Sequence, residues 1–271
     1  MFSPGAECQI AERQIAERQI AERQIAERLA RAGCVAAEEE AAVLVGEAPD
    51  RMTLEAWVAR RERGEPPAWI VGWVEFLGRR VQVDPGVYVP RAQSEELAER
   101  ATGLLPERGR AADLCSGSGA LASHLMSARP AATVIATDVD PRAVRCARAN
   151  GVTAVVADLD AGLRSGAFDV VCAVAPYVPS PELHLLPADV LRYEPRRALD
   201  GGRDGLDVVR RVVAGAARLL HPGGWLVTEI GGDQDGPAGE LLAAAGFGGP
   251  TFWWDGDGDL RGVGARLEGA S

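Results

Sequence analysis

Residues 111–119 read Ala-Ala-Asp-Leu-Cys-Ser-Gly-Ser-Gly, and Ala120–Ala128 follows with helical spacing. Ala111–Cys115 is a short apolar run of strand length, so the stretch predicts a strand, a glycine-rich turn and a helix. Glycine carries no Cβ, so Gly117 and Gly119 let the backbone approach a ligand closely. The third glycine of the dinucleotide-binding pattern is absent. A plain strand-to-helix turn has the same look, so the flanking residues must decide between the two.

Downstream the pattern repeats. Thr133–Thr137, Thr153–Ala157, Phe168–Val174 and Gly224–Ile230 are strand candidates, with helical runs at Pro141–Asn150 and Gly205–Leu220. Gly236–Ala245 reads as a further helix, and Thr251–Trp254 and Gly262–Leu267 as two closing strands. This alternation implies an α/β, Rossmann-like fold: a mostly parallel sheet wound on both sides, with its ligand at the C-terminal strand ends. Upstream, Trp69–Pro90 is rich in β-branched and aromatic residues and is punctuated by Gly78 and Asp84-Pro-Gly86, which predicts a hairpin. Ser94, ahead of Glu-Glu-Leu, looks like the N-cap of the helix after it. The expected organisation is a helical domain over 1–66, a hairpin linker over 67–93 and the α/β domain over 94–271.

Acids end the next two strands. Asp138, 19 residues after Gly119, can accept both hydroxyls of a ribose. Asp140 suits the cap of the next helix, with Pro141 at its first position. Asp158 can accept from an adenine amino group while Leu159 packs on the ring. With Asp113 these make three acids at three consecutive strand ends, an order that favours S-adenosylmethionine over a dinucleotide. The expected cofactor set is Asp113, Cys115, Ser116, Gly117, Ser118, Gly119, Asp138, Asp158 and Leu159. Gly117 and Gly119 would border the methionine half, with Asp113 near its amino group.

Composition narrows the classes. Of the 271 residues 47% are hydrophobic and 25% charged, as in ordinary globular proteins. The net charge is −10 and all 29 basic residues are Arg, which argues against a broad grip on nucleic-acid backbone. No stretch of about 18 apolar residues suggests a membrane span, and the first residues lack the pattern of a signal peptide. Cysteines at 8, 34, 115, 146 and 172 form no CxxC pair, and His124, His184 and His221 are scattered. The expectation is no metal site, no disulfide framework and a reduced cytoplasm. Cys115 and Cys172 read as small core residues.

Residues 9–28 are four copies of Gln-Ile-Ala-Glu-Arg. Good helix formers dominate them, and Arg13–Glu17, Arg18–Glu22 and Arg23–Glu27 are spaced for i,i+4 pairs. A five-residue step advances about 500° on a helix, so the isoleucines spiral and form no coiled-coil stripe. A solvated helical extension, or a helix that binds a partner, is expected.

Beyond these patterns, the chain resembles the protein glutamine N5-methyltransferases that modify peptide release factors, the HemK family. The resemblance runs from about Gly33 to the C-terminus. It rests on Gly64-Glu-Pro-Pro-Ala-Trp-Ile-Val-Gly72, Glu75-Phe76, Val89-Pro-Arg91 with Ser94-Glu95, Asp113–Gly119, Asp138 and Asp158. It continues through Val174-Ala-Pro-Tyr177, Glu194-Pro195, Ala198-Leu199, Gly201-Gly202, Asp204-Gly205-Leu206 and Glu229-Ile-Gly231 with Gln234. The resemblance implies a helical domain and β-hairpin ahead of a seven-stranded class I methyltransferase domain. It also implies S-adenosylmethionine as cofactor and a release-factor-like protein substrate.

Val174, Ala175, Pro176 and Tyr177 would then form the acceptor pocket, where the family has Asn-Pro-Pro-Tyr. The family's Asn side chain and the next backbone carbonyl accept from the substrate amide; here only the Ala175 carbonyl is left. Pro90-Arg-Ala-Gln-Ser-Glu95 departs from Pro-Arg-Pro-Glu-Thr-Glu, and the pentad repeat has no counterpart. Two other readings stand beside this one: an enzyme of specialised metabolism acting on a non-amide small molecule, and a cofactor-binding protein that has lost catalysis. Glu194 and Arg196 read as a loop ion pair, Trp253 and Trp254 as sheet packing, and Glu229 as holding a loop through backbone N–H groups or touching ligand.

Overall fold

A computed structural model describes residues 4–269, with side chains described from Ile15 onward. Cys8 and Arg13 therefore lie outside the described side chains. The elements begin with α1 (Pro4–Arg31), α2 (Ala37–Glu47), α3 (Arg51–Glu62), α4 (Pro67–Val71), β1 (Trp73–Phe76), β2 (Arg79–Gln82) and α5 (Ser94–Leu104). There follow β3 (Arg110–Leu114), α6 (Ala120–Ala128), β4 (Thr133–Asp138), α7 (Pro141–Ala149), β5 (Ala154–Val156) and β6 (Phe168–Ala173). The last are α8 (Ala188–Tyr193), α9 (Asp207–Leu219), β7 (Leu220–Glu229), α10 (Asp235–Ala244), β8 (Phe247–Trp254) and β9 (Leu260–Leu267).

The chain divides into two compact units: residues up to Gly72 joined by Ala188–Tyr193, and the remainder. In the smaller unit Ile25, Leu29, Ala41, Leu44, Val58 and Ile70 form the core. Along the repeat, Ile15 and Ile20 are each 58% exposed while Ile25 is 5% exposed, as the spiral of a five-residue step requires. Arg18 and Glu22 pair at 2.7 Å and Arg23 and Glu27 at 3.5 Å. Asp50 caps α3 by accepting from the Thr53 N–H at 2.7 Å. Buried Arg61 binds Glu40 at 2.6 Å and Asp189 of α8 at 3.2 Å.

The hairpin expected from Trp69 begins at Trp73 instead. Pro67 at the first helical position and Gly72 in the left-handed conformation (φ 87°) close Pro67–Val71 into a helical turn. The hairpin turns on Leu77 and Gly78, both at positive φ (48° and 70°), as a two-residue hairpin turn of this hand needs. The Leu77 N–H is fixed by Glu95 at 2.8 Å. Ser94 does not cap α5; it is that helix's first residue, and its hydroxyl has no hydrogen-bond partner.

In the larger unit seven strands lie in the order β5-β4-β3-β6-β7-β9-β8, with β9 alone antiparallel to its neighbours. Alternate strand residues face opposite sides. Val170, Cys172 and Val227 pack with Leu97, Leu121 and Val144 of α5, α6 and α7. Val171, Ala173 and Leu226 pack with Val209, Val213 and Leu242 of α9 and α10. The winding direction reverses between β3 and β6, so their C-terminal ends diverge and leave a crevice. Among the described residues no helix is long and apolar enough to cross a membrane.

Candidate cofactor and acceptor site

The crevice is a single cavity whose wall takes in the loops after β3, β4, β5 and β6. Asp113, Cys115, Ser116, Gly117, Ser118, Asp138, Asp158 and Leu159 of the expected cofactor set all line it, together with Val174 and Pro176 of the expected acceptor set. Gly119, Ala175 and Tyr177 are not among its lining residues.

Each loop has a local cause. Gly117, at φ 55°, has no atom within 4 Å of where a Cβ would stand, so it opens onto the cavity. Gly119 sits at φ 77° with Ala147 of α7 pressed so close that a Cβ would come within 2.9 Å of that side chain. Cys115 holds a left-handed φ of 62°, and the Ser116 N–H reaches the Thr137 carbonyl at 3.0 Å. Asp138 Oδ2 accepts from the Gly117 N–H at 2.9 Å and its Oδ1 from the Asp140 N–H at 2.8 Å. The acid at the end of β4 thereby fixes the turn at the end of β3.

Electrostatics follow burial. Asp113 is 1% exposed, accepts from the Ala122 N–H at 3.2 Å, and has its carboxyl pushed up to about 8 by desolvation. Burial raises Asp138 as well, and it holds the Cys115 thiol protonated. Asp158 is open to solvent and accepts from Arg211 at 2.7 Å. Arg211, which also lines the cavity, carried no signal in the sequence beyond its place on an amphipathic helix. Leu159 takes φ 51°, and its carbonyl accepts from Thr137 at 2.8 Å.

These walls fit an S-adenosyl cofactor. Gly117 leaves room for ligand atoms, and the hydroxyls of Ser116 and Ser118 are buried without a partner beside it. Four Asp side chains, Asp113, Asp138, Asp140 and Asp158, face the same cavity.

At the end of β6, Val174 and Pro176 line the cavity and Ala175 is 1% exposed. The Tyr177 hydroxyl accepts from Gln93 at 2.8 Å and is pushed up to about 12 by burial. The Tyr177 carbonyl accepts from Gln234 at 2.9 Å. A Cβ on Gly205 would stand 2.2 Å from the Tyr177 carbonyl oxygen, and one on Gly201 would stand 2.8 Å from that of Pro176. Gly201 and Gly205 thus let this loop pass.

Buried Glu194 accepts from Arg91 and from the Val89 N–H, and Arg196, expected to pair with Glu194, pairs with Asp200 at 3.1 Å. Trp253 is buried and Trp254 is half exposed. Glu229 holds no backbone N–H: it is 2% exposed and neither carboxylate oxygen has a hydrogen-bond partner.

A methyltransferase domain family matches residues 111–193. The chain is 36% identical over 216 residues to a release factor glutamine methyltransferase of Geobacter sulfurreducens, covering 78% of this chain and 76% of the relative. It is 41% identical over 199 residues to that of Moorella thermoacetica, covering 70% of each. Among solved structures it is similar in fold to a T. thermophilus 16S rRNA methyltransferase in complex with AdoMet and guanosine, with TM-score 0.50 and 19% identity, over 73% of this chain and 44% of that one.

Proposed function

The chain belongs to the release factor glutamine methyltransferase family and is an S-adenosylmethionine-dependent methyltransferase, and from that premise we propose that it methylates the side-chain amide of a glutamine in a peptide release factor. The observation that carries the reading is the continuity of one cavity from the β3, β4 and β5 loops to Val174 and Pro176. A cofactor held along the first three loops would present its reactive end to the fourth. We place the protein in the cytoplasm, with its release factor.

Gly117, Ser116 and Ser118 would hold the methionine half, Asp138 the ribose, and Asp158 with Leu159 the adenine. Bound there, the cofactor supplies a methyl group on a positive sulfonium, an electrophile needing no further activation. The remaining work belongs to the acceptor side. An amide nitrogen is a poor nucleophile because its lone pair is delocalised into the carbonyl. Orientation is therefore most of what the protein can contribute. The Ala175 carbonyl offers an acceptor to the amide N–H, and Pro176 and Tyr177 shape its seat. Val174 offers none, and by analogy with losing one oriented transition-state contact this costs about 3 kcal/mol, or roughly a hundredfold in rate.

The test uses labelled S-adenosylmethionine and a release factor carrying its Gly-Gly-Gln loop, with cofactor affinity measured by calorimetry. Wild type should label the glutamine slowly, and Val174→Asn should raise kcat by about a hundredfold with cofactor affinity unchanged. Cofactor binding without label in either protein would move the reading to a non-amide acceptor or to lapsed catalysis.

A further inference from the structure

Three buried polar groups near the acceptor end are left over by this account: both oxygens of Glu229 and the hydroxyl of Ser94. A buried carboxylate without a partner is expensive, and a native structure keeps one only where something else meets it. Its position says what. In the β6–β7 ladder the last paired rung is Ala173 with Thr228, so the next step along each strand is Val174 and Glu229. Val174 and Val227 pack in the cluster that holds Leu97 of α5. Glu229, two residues beyond Val227, faces the same side of the sheet. The acid therefore stands beside the residue that lacks an acceptor, beneath the first turn of α5. Ser94 opens that turn, is 4% exposed and lines the cavity. It lies near enough to Glu229 to favour its charged form, yet it closes no hydrogen bond of normal geometry with it.

We propose that Ser94 and Glu229 form the proton-accepting arm of the acceptor site. The inference rests on the glutamine-methylation reading above. The Ser94 oxygen accepts one N–H of the substrate amide and passes its own proton toward Glu229. As the nitrogen lone pair bonds to the methyl carbon, the methyl–sulfur bond breaks and its electrons stay on sulfur. The nitrogen then gives up one of its two protons, which reaches Glu229 through the Ser94 hydroxyl and leaves to solvent after product release. Ser94 touches the substrate; Glu229 acts through it.

Burial suits the acid to the task by pushing its carboxyl up to about 7. The other groups facing it are Tyr88 before α5, Tyr177 after β6 and Arg261 on β9. Both phenols are held protonated by burial, and Arg261 remains charged. Asp113, at about 8, titrates in the same range from the cofactor end, so the substitutions must assign the ionisation.

The experiment compares wild type, Glu229→Gln and Ser94→Ala. It measures kcat against pH with the release factor, cofactor affinity by calorimetry, and the carboxyl carbons of the cofactor-free protein by NMR. Wild-type kcat should rise with pH through an ionisation near 7, and one Glu carboxyl should titrate there without cofactor. Glu229→Gln should lose that signal and that limb, and lower kcat by about a hundredfold at unchanged cofactor affinity. Ser94→Ala should lower kcat by about tenfold or more, a smaller loss because a water can enter the relay. A Glu229→Gln enzyme with wild-type kcat and pH profile overturns the inference alone. If Glu229→Gln fails to bind cofactor, Ser94→Ala decides: an intact rate and limb there overturns the inference. A wild type that binds cofactor and leaves the glutamine unlabelled overturns the release-factor reading and takes this inference with it.

Discussion

Cys115 occupies a backbone conformation that a side chain resists, at φ 62° in the middle of the cofactor loop. A left-handed residue with a Cβ costs about 1–2 kcal/mol, while glycine there would cost about 0.5–1 kcal/mol in unfolded-state entropy. The strain term is the larger, so Cys115→Gly is expected to raise the unfolding free energy by about 0.5 kcal/mol, read from urea unfolding. A drop instead would mean that packing of the thiol outweighs the strain. The sequence displays Gly117 and Gly119 as freely turning positions, but a cysteine announces no positive φ. Only the closed turn, with Ser116 N–H on the Thr137 carbonyl, imposes it. Val174 shows the reverse: its missing acceptor is legible from residue type alone, and its neighbour Glu229 is not.

Among the elements, α7 was legible nearly to the residue because its start is encoded locally. Asp140 accepts from the Arg142 N–H at 2.9 Å with Pro141 at the first helical position. Asp140→Ala should cost about 1 kcal/mol in thermal or urea unfolding. Gly119, which joins the cofactor loop to α6, has no such latitude. Gly119→Ala would drive a methyl group toward Ala147 in an already left-handed turn. It is expected to cost about 3 kcal/mol and to weaken cofactor binding in calorimetry. The segment that α4 occupies misled the pattern because Trp69, Ile70 and Val71 are strand formers by type. Burial of Trp69 and Ile70 in a turn bounded by Pro67 and Gly72 overrides that preference. Glu194 likewise finds its partner far along the chain. Arg91→Ala would remove that buried acid's guanidinium partner, a loss of about 2 kcal/mol in unfolding free energy.

For the whole molecule, burial of acids sets the response to pH. Asp113 and Glu229 hold protons in the folded state up to about 8 and about 7, where an unfolded carboxyl has already released them. Folded-state values above unfolded ones mean that stability falls as pH rises from about 4 to about 8. His221, raised by the Pro222 carbonyl and by Asp169, adds a contribution that is present at low pH and lost as pH rises. On the other side, Asp50, Asp200, Asp204, Asp255 and Glu65 are held below their ordinary values by hydrogen bonds, and their contributions vanish in acid below about 4. Those groups are mostly open to solvent, so each counts for little. Urea unfolding across pH should therefore find greatest stability near pH 4–5, falling toward pH 8, with the fall flattened in Asp113→Asn. Stability that climbs from pH 5 to 8 would contradict the burial argument.

The order of strands and helices in the α/β unit, and its three acid-bearing loops, can be read from the chain alone. Each is written in adjacent residues: the two-residue and 3.6-residue periods, the caps, and the glycines where a turn must reverse. The resemblance in its motifs extended that to the kind of reaction. Which distant residues meet follows only from the folded chain. Strand order places Glu229 beside Val174, and packing brings Gln93 to Tyr177 and Arg91 to Glu194. It also draws Ala188–Tyr193 out of the α/β unit into the helical one. No local period encodes such contacts, because they follow from how a parallel sheet is ordered and wound. The acceptor end of the cavity is built almost wholly from them.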